Sequence, residues 1–263
     1  MNAILFDIGR TKTRVAFSDN PEQFEDPIIF ETDEKYETGL QKLIRNIKEC
    51  GKDKEIKNIV GGKTRALIEW SDEKLIQDLK NEFGENINIK IENDSALVGL
   101  GEAVYGVGKD FEIVAYITVS TGVGGARIVN KKIDERAVGF EPGKQIIDID
   151  SESTKTLEDL ISGSALKERT GMNPKEITDP KVWDQHAKVL AIGLNNVVVN
   201  WSPNCIVLGG SMITGDPAIP IDKTENYLKE ILKVYSEIPV IKKAELGDFG
   251  GLWGALALIK NNV

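Results

Sequence analysis

The feature that most constrains the fold of this chain is an eight-residue pattern that occurs twice, each time between two apolar, strand-like segments. The first copy, DIGRTKTR, begins at Asp7, and the second, STGVGGAR, begins at Ser120. In both copies a glycine follows two positions after the first residue, and an arginine follows seven positions after it. Each copy is typical of a strand, a tight polar turn and a returning strand. The repetition favours two lobes that begin on the same plan.

The apolar periodicity predicts an α/β protein in which an antiparallel start is followed by alternating helices and strands. The predicted strands are 3–7, 14–17, 27–30, 56–60, 87–91, a strand–turn–strand over 113–129, CIVLGG from Cys205, and 238–241. The predicted helices are one that ends at Cys50-Gly51, then 72–83, 94–105, 156–170, 182–199, 224–234 and a closing helix from Gly250. The segment YGVGKD interrupts this pattern. We therefore predict an N-terminal lobe over 1–107, a C-terminal lobe over 108–249, and a final helix over 250–263 that packs back on the N-terminal lobe.

Composition excludes several classes of function. The 263 residues carry a formal net charge of −9, which disfavours nucleic acid, because binding to it requires a concentrated basic patch. No apolar run approaches the ~18 residues of a membrane helix. Met1 leads directly into a strand-like segment without the features of a signal peptide, so we expect a cytoplasmic protein. Cys50 and Cys205 are too few for a disulfide framework or a four-ligand zinc site.

The two turns are candidate phosphate sites. Short polar turns between paired strands can direct consecutive backbone N–H groups at an anion, and Gly122, Gly124 and Gly125 allow close approach. The alternative is a pair of plain hairpin turns. GGKT at 61–64 is not a P-loop, since Lys57 stands where that motif needs glycine. GVGGAR lacks the last glycine of a dinucleotide fingerprint and does not open a helix.

Two further strand ends carry candidate site residues. Asp94 follows a predicted strand, at the edge where open α/β sheets bind ligands, and its carboxylate could accept a proton from a hydroxyl; the alternative is a helix N-cap. Gly209, Gly210 and Ser211 end a buried strand, where a flat group could pack on the backbone, or where the chain turns into a helix. His186 is the only histidine and lies in a helical run, so we expect no acid–base or metal role for it.

Taken in order, these motifs resemble the ROK family of sugar kinases, within the actin-like ATPase superfamily. DIGRTKTR resembles the first phosphate motif, STGVGG the second, and IVLGGS the adenosine motif, while ENDSALVGLGE resembles the catalytic segment and LEDLISGSAL the stretch before the long helices. The resemblance implies two ribonuclease-H-like lobes with a cleft between them where ATP and sugar meet. It implies ATP-dependent phosphorylation of a hexose or N-acetylhexosamine, with Mg²⁺ as cofactor, and is compatible with a homodimer.

The resemblance also implies roles for individual residues. Asp94 would be the general base, and Asp7 would hold Mg²⁺ through water. The residues implied at ATP are Gly9, Thr11, Lys12, Thr121, Gly122, Gly124, Gly125, Gly209, Gly210 and Ser211, and those implied at the sugar are Asn93, Asp94, Glu141, Lys144 and Glu158.

This chain departs from the family pattern at the sugar site. The family usually has Glu-x-Gly-His and a cysteine cluster that bind a structural zinc, but here EPGK and DSESTKT stand in those places, so we expect no zinc. GGKTRALIEWSDEKL is shorter than the usual sugar loop, and Arg10 replaces a glycine of the first turn.

These changes keep alternatives open. The main one is a sugar or nucleotide sensor of the same fold without turnover, and a cytoskeletal filament protein is another. A DNA-binding repressor is not expected, since no helix-turn-helix segment precedes the strand at Ala3.

Overall fold

A computed structural model describes residues 1–149 and 153–260 of the chain. The chain forms two compact units. The first comprises Met1–Tyr105 together with Leu246–Val263, and the second is Gly106–Glu245. The lobe boundaries at 107 and 249 that the sequence suggested stay a prediction. Residues 150–152 and 261–263 lie outside the described part of the chain.

The first unit contains a five-stranded mixed sheet with the order β3-β2-β1-β4-β5. Its strands are β1 Ala3–Ile8, β2 Lys12–Ser18, β3 Ile28–Glu31, β4 Asn58–Lys63 and β5 Asn88–Asn93. Its helices are α1 Tyr36–Cys50, α2 Asp72–Phe83, α3 Asp94–Val104 and the last helix of the chain, Gly250–Lys260. β2 runs antiparallel to β1 and to β3, whereas β1, β4 and β5 are parallel neighbours.

Both faces of β1 are covered, as the apolar run Ala3–Phe6 at its start predicts. Ile4, Phe6 and Ile8 belong to a buried cluster that includes side chains of α1 and α2. Asp7 points to the other face, where the last helix packs: a Cβ atom on Gly251 would lie 2.6 Å from Cγ of Asp7. The first unit therefore has helices on both sides of its sheet, and one carboxylate lies within the layer that faces the last helix.

The second unit repeats this plan with a five-stranded sheet of order β12-β11-β6-β7-β8 and a separate two-stranded ribbon of β9 and β10. The strands are β6 Ile113–Val119, β7 Val123–Val129, β8 Lys132–Ile133, β9 Ile146–Asp148, β10 Lys155–Thr156, β11 Cys205–Gly209 and β12 Val240–Lys243. The helices are α4 Leu157–Ile161, α5 Gly163–Thr170, α6 Pro180–Trp201, α7 Ser211–Thr214 and α8 Ile221–Ile231, which makes the last helix of the chain α9. Short 3-10 turns lie at Pro142–Lys144 and Pro174–Glu176, and a third, Gly247–Phe249, belongs to the first unit.

The core of the second unit lies between its sheet and α6. Ile117 and Val119 of β6, Ile206 and Leu208 of β11, and Leu194 of α6 are all buried in one cluster. Within the residues described, no helix has the length and apolarity needed to span a bilayer.

The structure corrects several details of the predicted elements: the helix predicted over 224–234 is Ile221–Ile231, and the strand predicted at 238–241 is Val240–Lys243. The helix predicted over 156–170 is two helices, α4 and α5, because Ser162 interrupts it and accepts a hydrogen bond from Ala165 N as the N-cap of α5. The predicted strand at 56–60 lies at 58–63 and includes the glycines of GGKT.

Candidate active site

Three parallel strands of the first unit end side by side. Ile8 of β1 is paired with Lys63 of β4, which is paired with Asn93 of β5. Thr64 N donates to Ile8 O at 2.9 Å, which ties the exits of β1 and β4 together. The two predicted carboxylates, Asp7 and Asp94, therefore lie at the same edge of one sheet, where open α/β sheets bind ligands.

The first predicted phosphate turn connects β1 to β2. Gly9 N donates to Lys12 O at 3.1 Å, and a Cβ atom on Gly9 would lie 3.1 Å from that same oxygen. Thr32, which follows β3, supports the turn: its hydroxyl donates to Gly9 O at 2.8 Å and its N–H donates to Thr11 O at 3.0 Å. Thr11 and Lys12 are exposed. The turn is thus fixed from behind while its outer side is open to a ligand.

Asp7 is a buried carboxylate that has one close cationic neighbour. Arg14, its cross-strand partner in β2, places Nη1 3.5 Å from Asp7 Oδ2 and Nη2 3.7 Å from Asp248 Oδ2. Burial raises the pKa of Asp7 to about 7, the charge of Asp94 adds to the increase, and Arg14 opposes it. Arg14 therefore offsets only part of the cost of a buried negative charge on Asp7. Such a carboxylate suits a divalent cation such as Mg²⁺, which prefers oxygen ligands.

Asp94 is the first residue of α3 and does not cap the helix. The N-cap is Asn93, whose side-chain oxygen accepts from Ala96 N at 3.2 Å, so the N-cap alternative for Asp94 is wrong. Oδ1 of Asp94 accepts from Ser95 N at 2.7 Å. Burial raises the pKa of Asp94, while hydrogen bonds from Ser95 and Thr64 act in the opposite direction. The residue is a well-oriented carboxylate whose proton affinity is increased.

The second predicted phosphate turn connects β6 to β7 in the second unit. Ser120 N donates to Gly122 O at 2.8 Å, and Gly163 N of α5 donates to Ser120 O at 2.7 Å. The hydroxyl of Ser120 lies 3.2 Å from the hydroxyl of Ser211. The structure therefore brings this turn together with the segment predicted for adenosine.

The glycines of these segments serve close packing. Gly210 has φ +86° and would place a Cβ atom 2.3 Å from Val119 O, so only glycine fits there. A Cβ atom on Gly125 would lie 2.4 Å from Tyr116 O. Gly210 also precedes α7 directly, so the strand-to-helix turn considered from the sequence is present.

The residues predicted to contact sugar from the second unit lie on two segments. Glu141 precedes the 3-10 turn Pro142–Lys144, Lys144 is its last residue, and Glu158 lies in the first turn of α4. Lys144 Nζ donates to Glu158 Oε1 at 2.5 Å, and this bond raises the pKa of Lys144. The other oxygen of Glu158 accepts from Val123 N at 2.8 Å. Glu158 therefore contacts both the Lys144 segment and the second phosphate turn.

Within residues 1–149 and 153–260, no group of three or more His, Cys, Asp or Glu side chains could hold a metal ion. The start of DSESTKT, at 150–152, lies outside these ranges. His186 is buried, with Nδ1 2.7 Å from Val182 O and no hydrogen-bond partner at Nε2 among the residues that the structure describes, and burial lowers its pKa.

Sequence reasoning missed several residues of this site. Arg14 could have been found, because a hairpin that places Asp7 opposite it follows from the strand–turn–strand pattern. Asp248 and Gly251 carry no local signal, since they reach Asp7 from the far end of the chain.

The chain belongs to the ROK family, whose family model matches residues 3–262. An N-acetyl-D-glucosamine kinase from Mannheimia succiniciproducens is 25% identical, and the match covers 96% of this chain and 97% of that protein. A fructokinase from Pediococcus pentosaceus is 28% identical over 72% of this chain and 69% of its own length. A xylose repressor from Bacillus subtilis is 25% identical over 54% of this chain and 43% of its own length.

Solved structures show the same fold. A ROK hexokinase from Thermus thermophilus superposes with a TM-score of 0.82 at 23% identity, covering 99% of this chain and 100% of that one. A ROK glucokinase from Streptomyces griseus, in complex with glucose and AMPPNP, gives 0.79 at 20% identity, covering 98% and 99%. The two lobes are those of the actin-like ATPase fold.

Proposed function

We propose that this protein is a sugar kinase that transfers the γ-phosphoryl group of ATP to a hydroxyl of a hexose or N-acetylhexosamine. The observation that carries the proposal is the geometry of Asp94, which begins α3 at the shared strand edge, is held by Ser95 and has a raised pKa. A general base works best when its pKa approaches the operating pH. The kinases among the relatives support the class of reaction.

In the proposed reaction the sugar hydroxyl gives its proton to the Asp94 carboxylate. The hydroxyl oxygen bonds to the γ-phosphorus, the bond from that phosphorus to the bridging oxygen of ATP breaks, and ADP leaves with the electron pair. Phosphoryl transfer of this kind depends mainly on positioning and charge neutralisation.

Nucleotide binding is assigned to both predicted turns. Lys12 offers an exposed ammonium to the phosphates, and Thr11 lies on the open side of the same turn. Gly9, whose N–H is bonded to Lys12 O, is assigned to their close approach. The residues assigned to the phosphates and adenosine from the second unit are Thr121, Gly122, Gly124, Gly125, Gly209, Gly210 and Ser211. Asp7 would hold Mg²⁺ through water, and the ion would neutralise phosphate charge when bound. Sugar hydroxyls are assigned to Asn93, Glu141, Lys144 and Glu158.

The experiment is a panel of hexoses and N-acetylhexosamines incubated with Mg²⁺ and ATP, with ADP as the readout. We expect one class of sugar to stimulate ADP release, and Asp94→Asn to lower kcat by roughly 10²- to 10⁴-fold while nucleotide binding is retained. Asp222→Asn is the matched control, because Asp222 is an exposed acid in the first turn of α8. Equal turnover in wild type and Asp94→Asn would refute the assignment of the base.

A sensor without turnover is the second candidate. The observation that favours it is the bond between Lys144 and Glu158, which engages a carboxylate otherwise assigned to the sugar. The xylose repressor among the relatives is a regulator by its name. This function would be selected if the wild type bound sugar or AMPPNP in a binding assay but released no ADP from ATP with any sugar of the panel.

A further inference from the structure

The Glu158 carboxylate joins two loops of the second unit that are distant in sequence. Oε1 accepts from Nζ of Lys144 at 2.5 Å, and Oε2 accepts from Val123 N at 2.8 Å. Lys144 belongs to the segment assigned to the sugar, and Val123 lies within the turn assigned to the phosphates. Both oxygens of one side chain are therefore used inside the protein, one on each loop.

The backbone around Glu158 is held in place by local contacts. It lies in the first turn of α4, where Thr156 and Asp159 form a reciprocal capping box. Its neighbour Leu157 is fully buried and donates its N–H to Gln145 O at 3.0 Å. The carboxylate thus projects from a short helix whose first turn is held by these contacts.

The two loops also touch each other, with little free space. A Cβ atom on Gly143 would lie 2.2 Å from Val123 O, and one on Gly122 would lie 2.7 Å from Oε2 of Glu158. A displacement of the Lys144 segment would therefore displace the second phosphate turn as well, because closely packed groups transmit small shifts.

From this geometry we infer that Glu158 is a positioning residue that fixes the second phosphate turn against the Lys144 segment through one bond to each. The consequence for nucleotide affinity rests on the proposed function, whereas the positioning of the Val123 amide does not. Val123 N–H is not available to a phosphate while Glu158 holds it, so the turn presents its other N–H groups. Lys144, although assigned to the sugar, contributes to nucleotide affinity because it holds Glu158 in place.

The direct test is hydrogen exchange of the Val123 amide in the free protein, measured by NMR. Glu158→Ala removes both bonds and should speed this exchange by about 10-fold or more, since a hydrogen bond to a charged group is stronger than one between neutral groups. Lys144→Met and Glu158→Gln each keep an acceptor for Val123 and should give smaller increases. Glu168→Ala, an exposed acid on α5, is the matched control and should change nothing. Unaltered exchange at Val123 in folded Glu158→Ala would overturn the inference.

The second measurement is the Kd of AMPPNP in the presence of Mg²⁺ and without sugar, determined by calorimetry. We expect Glu158→Ala to weaken binding by about 10-fold and Lys144→Met by less. A wild-type Kd in both variants together with a raised KM for sugar would overturn the consequence for nucleotide affinity and leave Glu158 and Lys144 as sugar ligands. If wild type itself bound no AMPPNP, the proposed function would fail, while the exchange at Val123 would still decide the inference.

Discussion

Replacing Asp7 by asparagine is expected to stabilise the free protein at pH 8 while removing its use of Mg²⁺. The Asp7 side chain is only 12% exposed, and its pKa rises from 3.8 to about 7. Since each pKa unit is equivalent to about 1.4 kcal/mol, ionised Asp7 lowers the free energy of unfolding at pH 8 by about 4 kcal/mol relative to its protonated form. The asparagine side chain would be uncharged, but Arg14 would lose its charged partner, so we expect a net gain of about 1–3 kcal/mol.

The sign of the pH dependence follows from the same pKa. A carboxyl group with a raised pKa binds its proton more strongly in the folded state, so its contribution to stability is fully present below pH 3.8. That contribution is lost as the pH rises through about 7. The stability difference between Asp7→Asn and wild type should therefore be largest at pH 8 and should shrink steadily towards pH 5.

The assay is thermal unfolding from pH 5 to 8, where each kcal/mol corresponds to about 2–4 °C in Tm for a chain of this size. Asp248→Asn is the matched control, because it removes the other carboxylate near Arg14, which is 84% exposed. Its gain should be much smaller, since the charge of Asp248 is the weakest of the effects on the pKa of Asp7. Mg²⁺ with AMPPNP should raise the Tm of wild type more than that of Asp7→Asn. A wild type more stable than Asp7→Asn at pH 8, or a difference that does not change with pH, would refute the reasoning.

Three further predictions concern the fold that supports the site. His186 has a lowered pKa, so its contribution to stability should fall as the pH drops below 6.5, opposite in sign to that of Asp7. In urea unfolding between pH 5 and 7, His186→Leu should lose this contribution, and an unchanged slope of stability against pH would contradict it. Gly254→Ala should cost about 1–3 kcal/mol or more in the same assay, because its Cβ would lie 1.8 Å from Leu97 O, and wild-type stability would be the contrary result. Gly210→Ala should weaken AMPPNP binding, since its φ of +86° and the contact with Val119 O exclude a side chain; an unchanged Kd by calorimetry would argue against it.

Some elements could be predicted from the sequence because their signals are local. The helix Asp72–Phe83 lies at the predicted residues, since Ser71 caps its start and Gly84 follows its end. The single helix predicted over 156–170 was wrong for a local reason as well. The Ser162 side chain accepts a hydrogen bond from Ala165 N, and this bond competes with the continuous helix, so that one helix ends and another begins there.

The candidate site was predictable only where it depends on strand ends. Asp7 and Asp94 could be placed at one sheet edge, because parallel strands put their carboxyl ends together. The supporting contacts were not accessible in that way. Gly251 packs against Asp7, and Glu102 accepts a hydrogen bond from Leu246 N at 2.9 Å. Both contacts form because the end of the chain returns to the first unit. Such contacts depend on tertiary packing, which leaves no periodic signal in the sequence.

The most direct test of the central claim is a phosphorus-31 NMR spectrum of the protein with Mg²⁺, ATP and a sugar from the panel. We expect a sugar phosphate monoester that grows in step with ADP, and whose formation is lost in Asp94→Asn. Inorganic phosphate in place of the monoester, or a spectrum of unchanged ATP with every sugar, would contradict it.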